Sequence, residues 1–197
     1  MLRHALRRDL DTIVDIWTDA FAGDPFFRWI VPEEGAWPGF GSEWFAFIAG
    51  LSFERGHTYL YEDGDAAVAW IPPDLDLLGP DDFERGVGIL RRHALEGRGE
   101  QAVETIVAAR GHTPTSSHWT LQFIGVRTSA RGRGLGTSIT APMLAVCDYE
   151  GLSCALNSSN PANVPFYRRL GFEVTAECWS PDDAVCLRPM QRAAGVR

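Results

Sequence analysis

The run His118-Trp119-Thr120-Leu121-Gln122-Phe123-Ile124-Gly125-Val126, followed by Arg127-Thr128-Ser129-Ala130 and then Arg131-Gly132-Arg133-Gly134-Leu135-Gly136-Thr137, decides how this chain is read. Its first nine residues are rich in β-branched and aromatic types and predict a strand over His118–Val126. A helix is predicted from Gly134 to Tyr149, with Leu135, Ile139, Met143 and Val146 on one face. Between them, glycines let successive backbone N–H groups curl toward one point, and the start of the helix adds partial positive charge. Such a loop suits a pyrophosphate, and Arg131 and Arg133 can add charge-assisted bonds to its oxygens. A plain glycine-rich connector would carry the same letters. The G-x-G-x-G spacing departs from the dinucleotide fingerprint G-x-G-x-x-G, and a chain without lysine cannot form a phosphate loop of the Walker type.

Outward from this run the elements follow one another closely. Downstream come a strand over Leu152–Asn157, the polar segment Asn157-Ser158-Ser159-Asn160-Pro161-Ala162-Asn163, and a short helix over Ala162–Leu170. Two closing strands are predicted over Phe172–Cys178 and Ala184–Met190. Upstream, a short strand around Arg3–Ala5 precedes an amphipathic helix in which Leu10, Ile13, Val14, Trp17, Ala20 and Phe21 recur at helical spacing, with Asp9 or Asp11 able to cap it. Residues Phe26–Pro32 read as too aromatic and too interrupted for a plain helix. A second helix spans Gly41–Arg55 and buries Trp44, Phe45, Ile48 and Leu51. Thr58–Glu62 and Ala66–Ile71 form a hairpin across Asp63-Gly64, and Pro72-Pro73 stops it. Residues 80–110 read as two helices parted by Gly97 and Gly99. The order predicts a mixed α/β sheet covered by helices, in one domain over 1–197.

Composition narrows the function. No apolar run approaches the roughly 18 residues that span a bilayer, and the first residues contain no uninterrupted apolar core, so a soluble cytoplasmic protein is expected. The four cysteines, 147, 154, 178 and 186, form no C-x-x-C pair and have no histidines at zinc-ligand spacing; reduced, mostly buried thiols and no metal are expected. All 18 basic residues are arginine, which excludes a lysine Schiff base. The net charge of −8 is uneven: residues 1–110 hold 20 acidic residues against 10 arginines, and residues 111–197 hold 6 against 8. The acidic half could draw a cationic substrate while the other tolerates an anionic ligand, or these charges could simply solvate surfaces. Neither half is basic enough to suggest nucleic acid.

Two motifs taken together carry a resemblance. A strand, then R-x-x-G-x-G at Arg131–Gly136, then N-x-x-x-Y-x-x-L-G-F from Asn163 through Tyr167 to Phe172, resembles the GNAT acetyltransferase superfamily. Ala66-Ala67-Val68-Ala69-Trp70, Arg133-Gly134-Leu135-Gly136, Val164-Pro165-Phe166-Tyr167 and Pro142 are similar to the group typified by puromycin N-acetyltransferase. The resemblance implies a twisted, mostly antiparallel sheet with helices on both faces, and acetyl-coenzyme A as co-substrate. Backbone groups of Ile124 and Val126 would hold its pantetheine arm, at a strand irregularity. Arg131, Gly132, Arg133, Gly134, Leu135, Gly136 and Thr137 would hold its pyrophosphate. Asn163 would bond near the thioester, and Tyr167 would protonate the departing thiolate. Read from residue type alone, Tyr167 could equally be a packed helix residue beside Phe166 and Leu170.

In this superfamily the region after the first helix walls the acceptor site. Here it holds Asp24, Phe26, Phe27 and Trp29, with Trp70 and Trp119 on the strands; an acid among aromatics suits a flat cationic amine, although the same rings could be core. Relatives often carry a glutamate where Asn157 stands, and an amide cannot accept the amine's proton near neutral pH. The implied activity is acetyl transfer to a small-molecule amine, for antibiotic resistance or natural-product tailoring, by a monomer or homodimer. A peptide amine, a larger acyl group, or a non-catalytic coenzyme A sensor are the alternatives.

Overall fold

The computed structural model describes residues 1–61 and 63–195. Within them eight strands form one sheet: β1 (Leu2–His4), β2 (His57–Tyr61), β3 (Ala66–Ile71), β4 (His118–Val126), β5 (Ser153–Ser158), β6 (Glu173–Val174), β7 (Cys178–Trp179) and β8 (Cys186–Arg192). The order is β1-β2-β3-β4-β5-β8-β6, with β7 also pairing to β8. Every pair is antiparallel except β4 with β5. Among the described residues seven α-helices cover it: α1 (Leu10–Ala20), α2 (Pro25–Ile30), α3 (Trp37–Arg55), α4 (Pro80–His93), α5 (Arg98–Arg110), α6 (Leu135–Glu150) and α7 (Val164–Arg169).

Alternation along β3 divides the core. Ala67, Ala69 and Ile71 join the apolar cluster beneath α1–α5, whereas Ala66, Val68 and Trp70 join the cluster beneath α6. A strand buried on both faces explains the unbroken apolar run that the hairpin reading relied on. Glu62, the expected end of β2, lies outside the described residues.

Five local expectations give way to the structure. Residues 25–30 do form a helix: the Asp24 carboxylate accepts from the N–H groups of Phe26 and Phe27, Pro25 fits the first turn, and burial of Phe26, Phe27, Trp29 and Ile30 outweighs the modest helix propensity of aromatics. The next helix begins at Trp37 rather than Gly41 and is apolar nearly all round, as a helix packed on several sides must be. On α6, Ile139 and Met143 are buried but Val146 is exposed, the inward face continuing through Leu144 and Cys147. The expected strand 172–178 breaks into β6 and β7, which pair with opposite ends of β8. Asp9 does not cap α1 with its side chain; its carboxylate instead accepts from Leu6 N–H and Arg3.

One feature of the sheet prepares a site. β4 and β5 pair only over His118–Thr120 against Ser153–Ala155, and beyond that they splay. On the other edge of β4, Ala69 faces Phe123 while Trp70 faces Leu121, so Gln122 is a bulge residue without an opposite number. The bulge bends β4 away from β5 and opens a wedge in the middle of the sheet.

Candidate active site

The loop after β4 is fastened before it reaches the wedge. Arg127 N–H donates to the Asp65 carbonyl at 2.8 Å, and the Arg131 guanidinium donates to the carbonyl of Ala20 at 2.8 Å. Gly132 and Gly134 then take φ of 78° and 77°, where a side chain would be strained. Gly134 precedes α6 with no side-chain cap, and the first bond of the helix is Ser138 N–H to the Gly134 carbonyl at 3.1 Å. The N–H groups of Leu135, Gly136 and Thr137 therefore have no partner within the helix. Together with the helix dipole they form an anion seat that fits a pyrophosphate.

A cavity of about 550 Å³ runs from this seat into the wedge. Of the residues expected to hold a coenzyme, Ile124, Val126, Arg131, Gly132, Gly134, Leu135, Gly136, Thr137 and Asn163 line it, and so do Tyr167 and Asp24. Arg133 does not; its guanidinium donates to Asp65 at 2.7 Å, on the hairpin side.

A second cavity, about 210 Å³ and walled largely by apolar side chains of α3, α4, α5 and β4, meets the first. Phe21, Ile124, Asn163 and Tyr167 border both, so these four residues mark the junction. Phe27 and Asn157 line the second cavity. Trp29 lines neither: its indole N–H donates to Asp182 at 3.0 Å, and the Arg98 guanidinium lies 5.5 Å from its ring centre. Trp70 and Trp119 belong to the cluster on the α6 side, away from both cavities.

Tyr167 is 8% exposed, and among the described residues nothing hydrogen-bonds its hydroxyl. Burial first, and the charge of Asp24 second, push its pKa up. The resting phenol therefore keeps its proton and has one to give to a stronger base. Asp24 is also buried, and that burial raises its pKa against the opposing pull of hydrogen bonds from Ser159, Phe27 and Phe26.

Residues 89–174, from the end of α4 through β6, match the family model of the acetyltransferase (GNAT) domain. That segment is similar to a GNAT acetyltransferase domain. Two curated relatives match short segments: an N-acetyltransferase of Schizosaccharomyces pombe, 37% identical over 54 residues, and the 5-NmdU N-acetyltransferase of Pseudomonas phage PaMx11, 39% identical over 57 residues. These segments are 27% and 29% of this chain and span only 22% and 41% of the respective relatives. A solved structure from Corynebacterium glutamicum, described as histone acetyltransferase HPA2 and related acetyltransferase, aligns over 100% of this chain and 97% of its own, at 24% identity and a TM-score of 0.67. The likeness of fold thus extends beyond the segment that the family model covers.

Three residues of the site escaped the sequence reading. Phe21 appeared only as one more apolar position on α1, yet it stands at the junction of the cavities. The resemblance implied a strand irregularity at Ile124 and Val126, but nothing in the letters placed it at Gln122, because a bulge depends on the partner strand's register. Ser159 lines the second cavity and donates its hydroxyl to Asp24 at 2.6 Å. The polar run 157–160 was the one available signal, but it could not say which of its side chains turns inward.

Proposed function

We propose that the protein transfers an acetyl group from acetyl-coenzyme A to the amine of a compact small molecule. The observation that carries this reading is the meeting of two cavities at Tyr167, one reaching the anion seat of α6 and the other apolar. Residues 131–137 would receive the pyrophosphate, backbone groups of Ile124 and Val126 the pantetheine arm, and Asn163 the thioester end. The carbon–nitrogen bond forms as the carbon–sulfur bond breaks, and an ammonium substrate gives up two protons in all. Tyr167 delivers one to the sulfur and recovers it from the nitrogen; the other passes to solvent.

The second cavity is bounded by helices α3, α4 and α5, which favours a compact acceptor over a peptide laid across the sheet. Its lining includes Phe27 and Asn157 and, among the described residues, no charged side chain, so an amine with an aromatic or branched apolar body fits its chemistry. A role in antibiotic inactivation or natural-product tailoring accords with such an acceptor. Four unpaired, buried cysteines suit a reducing cytoplasm, and no described helix is long and apolar enough to cross a membrane.

The test is direct. Acetyl-coenzyme A is titrated into the folded protein in a calorimeter, and free-thiol release is followed over a panel of aromatic, aliphatic and peptide amines. Saturable uptake with thiol release for apolar small amines is expected. Absence of uptake would end the proposal, release only with peptides would move the acceptor class, and uptake with no release for any amine would make the protein a sensor.

A further inference from the structure

Acetyl transfer to an amine leaves one step without a residue. An ammonium cannot attack a thioester until it loses a proton, and position 157 carries an amide. Resting on the amine N-acetyltransferase reading, we propose that Ser159 and Asp24 form a proton relay that deprotonates the incoming amine where the two cavities meet.

The pair is assembled across the fold. Asp24 lies between α1 and α2, Ser159 lies just past the end of β5, and the hydroxyl of Ser159 donates to Oδ2 of Asp24 at 2.6 Å. Ser159 lines the apolar cavity while Asp24 lines the larger one, so the bond passes from one cavity to the other beside Tyr167. Asp24 is the one carboxylate on either wall among the described residues. Its Oδ1 accepts from Phe26 N–H at 3.0 Å and Phe27 N–H at 3.3 Å, which holds the carboxylate still. Capping α2 needs only that oxygen. The bond to Ser159 serves nothing in the helix and directs the second oxygen toward the acceptor side.

The chemistry balances. An N–H bond of the ammonium breaks and its proton goes to Oγ of Ser159 as the hydroxyl's own proton moves to Oδ2 of Asp24. The amine keeps the electron pair, and Asp24 becomes a neutral acid. Burial already favours that neutral form, which makes the carboxylate a stronger base than one in water. After the amide leaves, Asp24 returns the proton to solvent through the larger cavity. The titratable group that acts on it is the Tyr167 phenol from α7; Arg131 and Arg169 line the same cavity, and the Arg131 guanidinium donates to the Ala20 carbonyl. On its own helix Arg28 bonds outward to the Pro32 carbonyl at 3.0 Å, and Trp29 reaches Asp182. No arginine bonds to Asp24 among the described residues, so no cation holds it ionised.

Three variants test the relay: Ser159→Ala, Ser159→Thr and Asp24→Asn, the last retaining an oxygen able to cap α2. Each is assayed with an amine that the native protein acetylates, of pKa about 9 to 10, across a pH series. Ser159→Ala and Asp24→Asn are expected to lose about 100-fold in kcat/KM for the amine near neutral pH, the usual scale of general base catalysis. Both should recover toward the native rate as pH approaches the amine's own pKa, because a free amine needs no base. Ser159→Thr should keep most of the activity, and acetyl-coenzyme A affinity should stay within about twofold in all three. A loss of equal size at every pH, or native rates in Ser159→Ala, would overturn the relay and leave the acetyltransferase reading intact. If the native protein acetylates no amine, both fall together.

Discussion

A Cβ built on Gly125 would stand 2.6 Å from Cδ1 of Trp17, so strand β4 and helix α1 touch here with only a hydrogen between them. The same indole donates its N–H to the Ala67 carbonyl at 3.2 Å, which pins α1 to the neighbouring strand as well. This double contact delivers the end of α1, with Ala20 and Phe21, to the wall of the larger cavity. Gly125→Ala must push the helix outward. A cost of about 1–3 kcal/mol is expected, read as a lowered Tm in thermal unfolding, together with weaker acetyl-coenzyme A binding. An alanine variant as stable as the native protein would show that α1 can shift freely.

Tyr167 is where proposal and geometry depend on a single oxygen. Tyr167→Phe removes the proton donor at the junction while keeping the ring that packs against Phe166 and Phe172, at centroid distances of 5.1 and 6.2 Å. Turnover should fall about 100-fold and acetyl-coenzyme A affinity should change little. Steady-state rates alongside calorimetry separate the two effects, and unaltered turnover would take the phenol out of the reaction.

How far the sequence anticipated this site depends on what kind of information each part needs. The strand β4, the turn at Gly132 and Gly134 and the helix after it are local: β-prone residues, positive φ and helical periodicity are written into consecutive letters. The cap on α2 is nearly as local, an acid directly before Pro25, but the aromatic run after it masks the helix that Asp24 starts by serving two N–H groups at once. The second cavity is not local at all. Its walls come from α3, α4, α5 and both central strands, and Phe27 and Trp29, two residues apart, end on different sides of that wall. Ser159 meets Asp24 across 135 positions, a pairing that no spacing rule reaches.

Acid should expose a weak point at the first strand. Asp9 accepts from both terminal nitrogens of Arg3, at 2.7 and 2.9 Å, and from Leu6 N–H at 2.7 Å, and the Arg3 hydrogen bond is the main reason its pKa falls from 3.8 to about 2. A depressed carboxylate contributes stability above its unfolded pKa and loses it as pH drops through the folded value. The window therefore lies between pH 3.8 and about 2. Asp9→Asn is expected to cost about 1 kcal/mol near neutral pH, and that difference from the native protein should vanish below the window. Urea melts of both proteins at several pH values check it; a gap that persists at the acid end would assign the cost to packing.

The acceptor cavity can be closed without touching the anion seat. Ile106 on α5 lines only the smaller, apolar cavity, and it is partly rather than fully buried, so a larger side chain there has empty volume to enter. The larger cavity shares four residues with the smaller one, all at the junction, and none of them is on α5. Ile106→Trp should therefore raise KM for the amine about tenfold or more while leaving acetyl-coenzyme A binding at its native value, since a change of about 1.4 kcal/mol in acceptor affinity is a factor of ten. Amines with the bulkiest apolar bodies should suffer most and the smallest least, because the indole removes volume and adds no charge. If every amine were acetylated as before, the acceptor would have to enter elsewhere, and the apolar cavity would be a packing defect of the helical layer.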